Sequence, residues 1–199
     1  MDTHPVLASL MTKSLTLEVV MKRSLSLAAL AALVGLAGSL CAQQLAVPGA
    51  PVAKDVPGAK ELPDPNRMYK VVFDIAKSAP KPGEVSPGLE LIANYVNTLA
   101  KWGVPADHRK IAVILHKGGG DMIFTNEAYK ARTEGLDNPN IEMIKKLTAA
   151  GVSFRVCGQG VTAKKIDRKD ILPEIQVDLW ALVSMVNLQT EGYVHIGPL

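Results

Sequence analysis

From residue 69 onward, apolar and polar positions alternate between a strand-like and a helix-like period. Residues 69–76 (YKVVFDIA) are rich in β-branched and aromatic side chains and run into Ser-Ala-Pro-Lys-Pro-Gly, which predicts a strand followed by a loop. In residues 89–102 (LELIANYVNTLAKW), Leu89, Ile92, Tyr95, Val96, Leu99 and Trp102 share one helical face, and Gly103 supplies the stop. Residues 110–116 (KIAVILH) form a near-continuous apolar run, the pattern of a strand covered on both faces. A less regular helix is predicted over 124–133 and a clearer one over 140–150, ending at Gly151. A third strand follows at 152–156, then a short charged helix at 162–170. Residues 172–179 are strand-like but carry Pro173, a helix runs from about 180 to 190, and a short strand at 193–196 closes the pattern.

Strand–helix alternation with short loops is the signature of parallel βαβ units. The expected fold is therefore α/β: a doubly wound, mainly parallel sheet of about five strands with helices on both faces. The domain is expected over 67–199. Residues 43–66 carry Pro48, Pro51, Pro57, Pro63 and Pro65 and no apolar period, so they read as an extended Pro/Ala-rich tether.

The N-terminus has a different character. Met21-Lys22-Arg23 precede an uncharged apolar run, SLSLAALAALVGLAGSL, which leads to Ser39 and Ala42 and then to polar Gln43-Gln44. This layout predicts a secretory signal peptide over about 21–42, cleaved near Cys41 or Ala42, with residues 1–20 an over-called start. The expected location is the periplasm, with no stable membrane insertion after cleavage. Leu40 directly before Cys41 argues against acylation there.

Charge narrows the partners. The chain has 22 Lys+Arg against 19 Asp+Glu, a net charge of +3, and no dense basic block, so no footprint for nucleic acid is present. Its cysteines are Cys41 and Cys157. Cleavage leaves Cys157 alone, which rules out an intrachain disulfide, and no Cys/His spacing fits a zinc site. No metal and no cofactor is expected.

In open parallel sheets, ligands bind beyond the carboxyl ends of the strands. That rule selects three segments: residues 76–86, His116-Lys117-Gly118-Gly119-Gly120-Asp121, and Cys157-Gly158-Gln159-Gly160. Cys157 stands ahead of the charged helix, with Lys164 and Lys165 expected in its first turn. Helix N-termini and nearby cations favour thiolate, the nucleophilic form of cysteine. Equally, a strand-end cysteine is often a small buried residue that only fills space. Gly158 and Gly160 allow close backbone approach, and Gln159 sits between them. His116 has the chemistry of a base or a substrate-orienting group. If the first strand lay between the second and third, His116 and Cys157 would stand roughly 10 Å apart, too far for a direct pair within one subunit. KGGGD lacks the phosphate-loop pattern, and Lys117, Gly119, Gly120 and Asp121 fit better a tight turn or a nest for a small anion. Asp74 and Asp121 have no paired acid, and Trp102 and Trp180 read as packing residues.

The segments MYKVVFDIA, KIAVILHKGG, NIEMIKKLTAAGVSFRVCGQG and the closing QTEGY together resemble the DsrE/DsrF-like family. The resemblance covers the whole proposed domain, and its most specific element is GVSFRVC, where active members carry a sulfur-accepting cysteine; Cys157 matches that position. It implies a parallel α/β sheet assembled into homo- or hetero-oligomers such as trimers or hexamers, and a homo-oligomer is expected here. It also implies sulfur relay, in which the cysteine holds sulfur as a persulfide and passes it to a thiol-bearing partner protein. Two alternatives stand beside this expectation: an oligomeric small-ligand-binding module with a structural Cys157, and a thiol redox sensor.

Overall fold

A computed structural model describes residues 45–199. The expected signal peptide and over-called start lie outside the described residues. Five strands build the sheet: β1 (Tyr69–Ile75), β2 (Arg109–Leu115), β3 (Ser153–Cys157), β4 (Ile175–Asp178) and β5 (Val194–Ile196). The helices are α1 (Pro87–Lys101), α2 (Asn126–Lys130), α3 (Ile141–Ala149), α4 (Gly158–Ala163) and α5 (Ala181–Thr190).

All strand pairs are parallel and the order is β4-β3-β2-β1-β5. From β1 to β4 the chain steps one strand at a time in a single direction. The return from β4 to β5 travels the other way across the sheet. Right-handed crossovers put opposite directions of travel on opposite faces, so α5 lies alone on the second face. The packing agrees: α5 contributes Ala181 and Leu188 to a small cluster with Val72, Ala112, Ile114 and Cys157. The first face carries the larger core, where Val71, Phe73 and Ile75 of β1 and Ile111, Val113 and Leu115 of β2 meet Leu89, Ile92 and Val96 of α1 and Ile144 and Leu147 of α3.

This order corrects the spacing argument. β2 lies directly beside β3, with Leu115 opposite Val156, so His116 and Cys157 end neighbouring strands. Periodicity shows each strand's faces but not its neighbours, and the order depends on where each crossover helix packs.

The helix expected at 162–170 is displaced. Helix α4 starts at Gly158 with Cys157 as its N-cap, and it ends at Ala163 with Lys164 as its C-cap. Two glycines in six residues are poor helix formers. Tertiary packing overrides them, because Gly158 lies against the Asp178 carbonyl where a β-carbon would collide. Lys164 and Lys165 therefore close α4 rather than open a helix.

Residues 45–66, expected as a tether, contain no helix or strand, yet their first part is docked on the domain. Val47 is fully buried in the main core and Ala50 nearly so. Asn97 of α1 accepts from the Val47 N–H at 2.7 Å and donates toward the carbonyls of Val47, Ala50 and Pro51. No helix among the described residues is long and apolar enough to cross a membrane.

Candidate functional site

The carboxyl edge of the sheet encloses a cavity of about 320 Å³. His116, Lys117, Gly120, Cys157, Gly160, Lys164 and Trp180 line it, together with Ile123, Val156, Val161 and Ile166. Cys157 reaches it from the end of β3. The residue is 9% exposed, and its Sγ accepts the N–H of Ala181, the first residue of α5, at 3.4 Å. The long return crossover is what brings that amide over β3. The sulfur thus sits between a strand end and a helix start, at a cavity whose lining also includes Lys117 and Lys164.

His116 follows β2 in extended conformation, and its ring is held by Asp74 of β1, with Nε2 2.5 Å from Oδ1. The other carboxylate oxygen faces His195 Nε2 at 3.6 Å. Lys117 takes φ 48°, the left-handed region that a non-glycine residue occupies at a cost. That bend turns the chain into the 3₁₀ segment Lys117–Ile123.

The remaining expected site residues divide. Gly120 is open on its side of the cavity, but Gly119 is buried beneath the Ile75 carbonyl, so its role is close backbone packing. Asp121 lies outside the cavity and pairs with Lys164 Nζ at 3.2 Å and with Ser78 Oγ at 3.0 Å. Gly158 serves contact with β4, and Gln159 donates to the Leu179 carbonyl at 3.0 Å without lining the cavity. Trp180, expected as a packing residue, is 48% exposed at the cavity's edge.

Asp74 and His195 were missed as site residues. The usable signal is parity: on β1, Val72 and Asp74 point to the α5 face, and His195 is in register with Val72. Without the strand order that parity has no partner to act on. Among the described residues no group of three His, Cys, Asp or Glu could hold a metal ion.

Fold and site together define a small parallel α/β domain with a strand-end cysteine in a half-enclosed cavity. Residues 70–198 match the DsrE/DsrF-like family, and the chain belongs to it. A solved structure of a protein of unknown function, MTH1491 from Methanobacterium thermoautotrophicum, is 26% identical, with a TM-score of 0.47 and coverage of 65% of this chain and 99% of that one. No curated protein matches the chain.

Proposed function

We propose that the protein carries sulfur on Cys157: the thiol accepts a sulfane sulfur as a persulfide and yields it to the thiol of a partner protein. The observation that supports this most is the placement of Cys157 on the wall of the 320 Å³ cavity, beside His116, Lys117 and Lys164. Such a cavity is large enough for a small sulfur donor or the tip of a donor side chain. Family membership supports the same reading, since GVSFRVC resembles the segment in which active DsrE/DsrF-like proteins carry a sulfur-accepting cysteine. The chemistry is thiolate attack on a sulfane sulfur, followed by attack of the partner's thiol on the persulfide.

A second reading has its own support. Cys157 is largely covered and bonded to the Ala181 amide, as a structural cysteine beneath a ligand-binding cavity would be. Intact-mass spectrometry after treatment with a low-molecular-weight persulfide separates the two. A gain of one sulfur atom in the wild type, absent in Cys157→Ser, supports the carrier. No gain, with a thiol inert to alkylation until denaturation, overturns it in favour of the binding module. A dimer-sized band lost on reduction indicates the redox sensor instead.

We also propose export to the periplasm and homo-oligomerisation. The apolar run before Cys41 supports the first, and N-terminal sequencing of protein from a periplasmic extract tests it. The second is supported by exposed Leu179, Leu182, Val183 and Val186 on and before α5. Light scattering tests it: a monomeric mass overturns it.

A further inference from the structure

Asp74 is the one acidic residue among the described residues with less than a tenth of its surface exposed. A buried carboxylate is costly unless hydrogen-bonded, and among the described residues neither Lys nor Arg pairs with this one. Its partners are two imidazoles: His116 Nε2 at Oδ1 and His195 Nε2 at Oδ2.

Strand order lays these groups in a line. Going from β5 through β1 and β2 to β3, the chain presents His195, Asp74, His116 and Cys157. They share the α5 face of the sheet. Asp74 is in register with Ile114, His116 lies two residues beyond Ile114, and Cys157 lies one step past the Leu115–Val156 pair, level with His116. The Asp74 contact engages Nε2 of His116, so among the described residues Nδ1 is the ring nitrogen without a protein partner, on a ring that lines the cavity with Cys157. A carboxylate on one imidazole nitrogen fixes the proton there and leaves the other as an acceptor.

We propose that Asp74 is a positioning residue that holds His116 with its Nε2–H on the carboxylate, so that Nδ1 takes the proton of the Cys157 thiol. This rests on the reading of Cys157 as the sulfur acceptor. Nδ1 accepts the thiol proton, and the thiolate attacks the terminal sulfur of a donor persulfide R–S–SH. A bond forms between Sγ and that sulfur while the donor's S–S bond breaks, its electron pair going to the inner sulfur. That sulfur takes the proton back from His116. The products are Cys157 persulfide and R–SH, with no external oxidant or reductant. Asp74 balances the imidazolium charge while it exists. The other charged groups near the sulfur do not compete for the role. Lys117 and Lys164 are cations at the cavity wall, and Asp178, level with Cys157 on β4, is engaged by Ser184 and Arg155.

The test measures iodoacetamide alkylation at Cys157, persulfide loading by intact mass, and the His116 tautomer by ¹⁵N NMR. It compares wild type, Asp74→Asn, His116→Gln and the double variant, each checked for folding by thermal melting. Asp74→Asn and His116→Gln are each expected to slow alkylation by about tenfold or more, and the double variant to be no slower than His116→Gln. The wild-type spectrum is expected to show the proton on Nε2, and Asp74→Asn to change that signature. Folded single variants that alkylate within about twofold of wild type overturn the proposal, and so do effects that multiply in the double variant. A wild-type proton on Nδ1 overturns it without any variant, which keeps the test decisive where Asp74→Asn fails to fold. If alkylation and tautomer follow expectation but no sulfur is gained, the sulfur-carrier reading falls and the role of Asp74 stands.

Discussion

Replacing Asn97 by alanine tests how residues 45–53 belong to the domain. Asn97 is fully buried on α1. Its Oδ1 accepts from Val47 N at 2.7 Å, and its Nδ2 lies 3.0, 3.2 and 3.1 Å from the carbonyls of Val47, Ala50 and Pro51. An amide nitrogen has two hydrogens, so those three acceptors share two donations and the side chain makes about three effective bonds. At about 1 kcal/mol net each, their loss is worth about 3 kcal/mol. Undocking of the segment lets the freed groups find water, so the expected cost of Asn97→Ala in urea unfolding is about 2–3 kcal/mol. The decisive control is the same substitution in a chain starting at residue 54. There Asn97 faces solvent, and alanine, the better helix former, is expected to be neutral or to stabilise by about 0.5 kcal/mol. An equal cost in both chains would refute the reasoning, because Asn97 would then act within the domain and not through the docked segment.

Two further predictions concern the loop after β2 and the protein at high pH. Gly119→Ala drives a β-carbon into the Ile75 carbonyl, whereas Gly120→Ala meets nothing within 4 Å. Thermal melting is expected to show a loss of about 2 kcal/mol for the first and little change for the second; equal effects would mean that the loop gives way freely. Burial raises the phenol of Tyr95 above its ordinary value of 10.0, with a smaller contribution from Tyr69. The folded state thus keeps the Tyr95 proton after the unfolded chain has lost it. This contribution to stability is present below about pH 10 and is lost as pH rises through the folded value. Tyr95→Phe, which keeps the edge-on contact with Phe73, is expected to flatten the fall in urea midpoint above pH 10, and an unchanged slope would count against burial as the cause.

Sequence alone determined the class of fold. The runs 69–76 and 110–116 alternate with the amphipathic 89–102, and short loops between them leave parallel βαβ units as the economical arrangement. It also put Cys157 and His116 at strand ends, because a strand end is a local event marked by glycines and a change of period. The beginning of α4 was hidden, since glycine's weak helix propensity masks a helix start at Gly158, where the close Asp178 carbonyl leaves no room for a β-carbon. The role of residues 45–53 was hidden as well, because prolines report backbone stiffness and not what the segment packs against. Strand order was decided by tertiary structure alone: it sets β2 beside β3 and carries α5 back across the second face. That order brings the Ala181 amide to the sulfur, and it places Asp74 and His195 in line with His116, although 121 residues of sequence separate Asp74 from His195. Local patterns record which face a side chain takes, and only the packing of crossover helices decides which strands share that face.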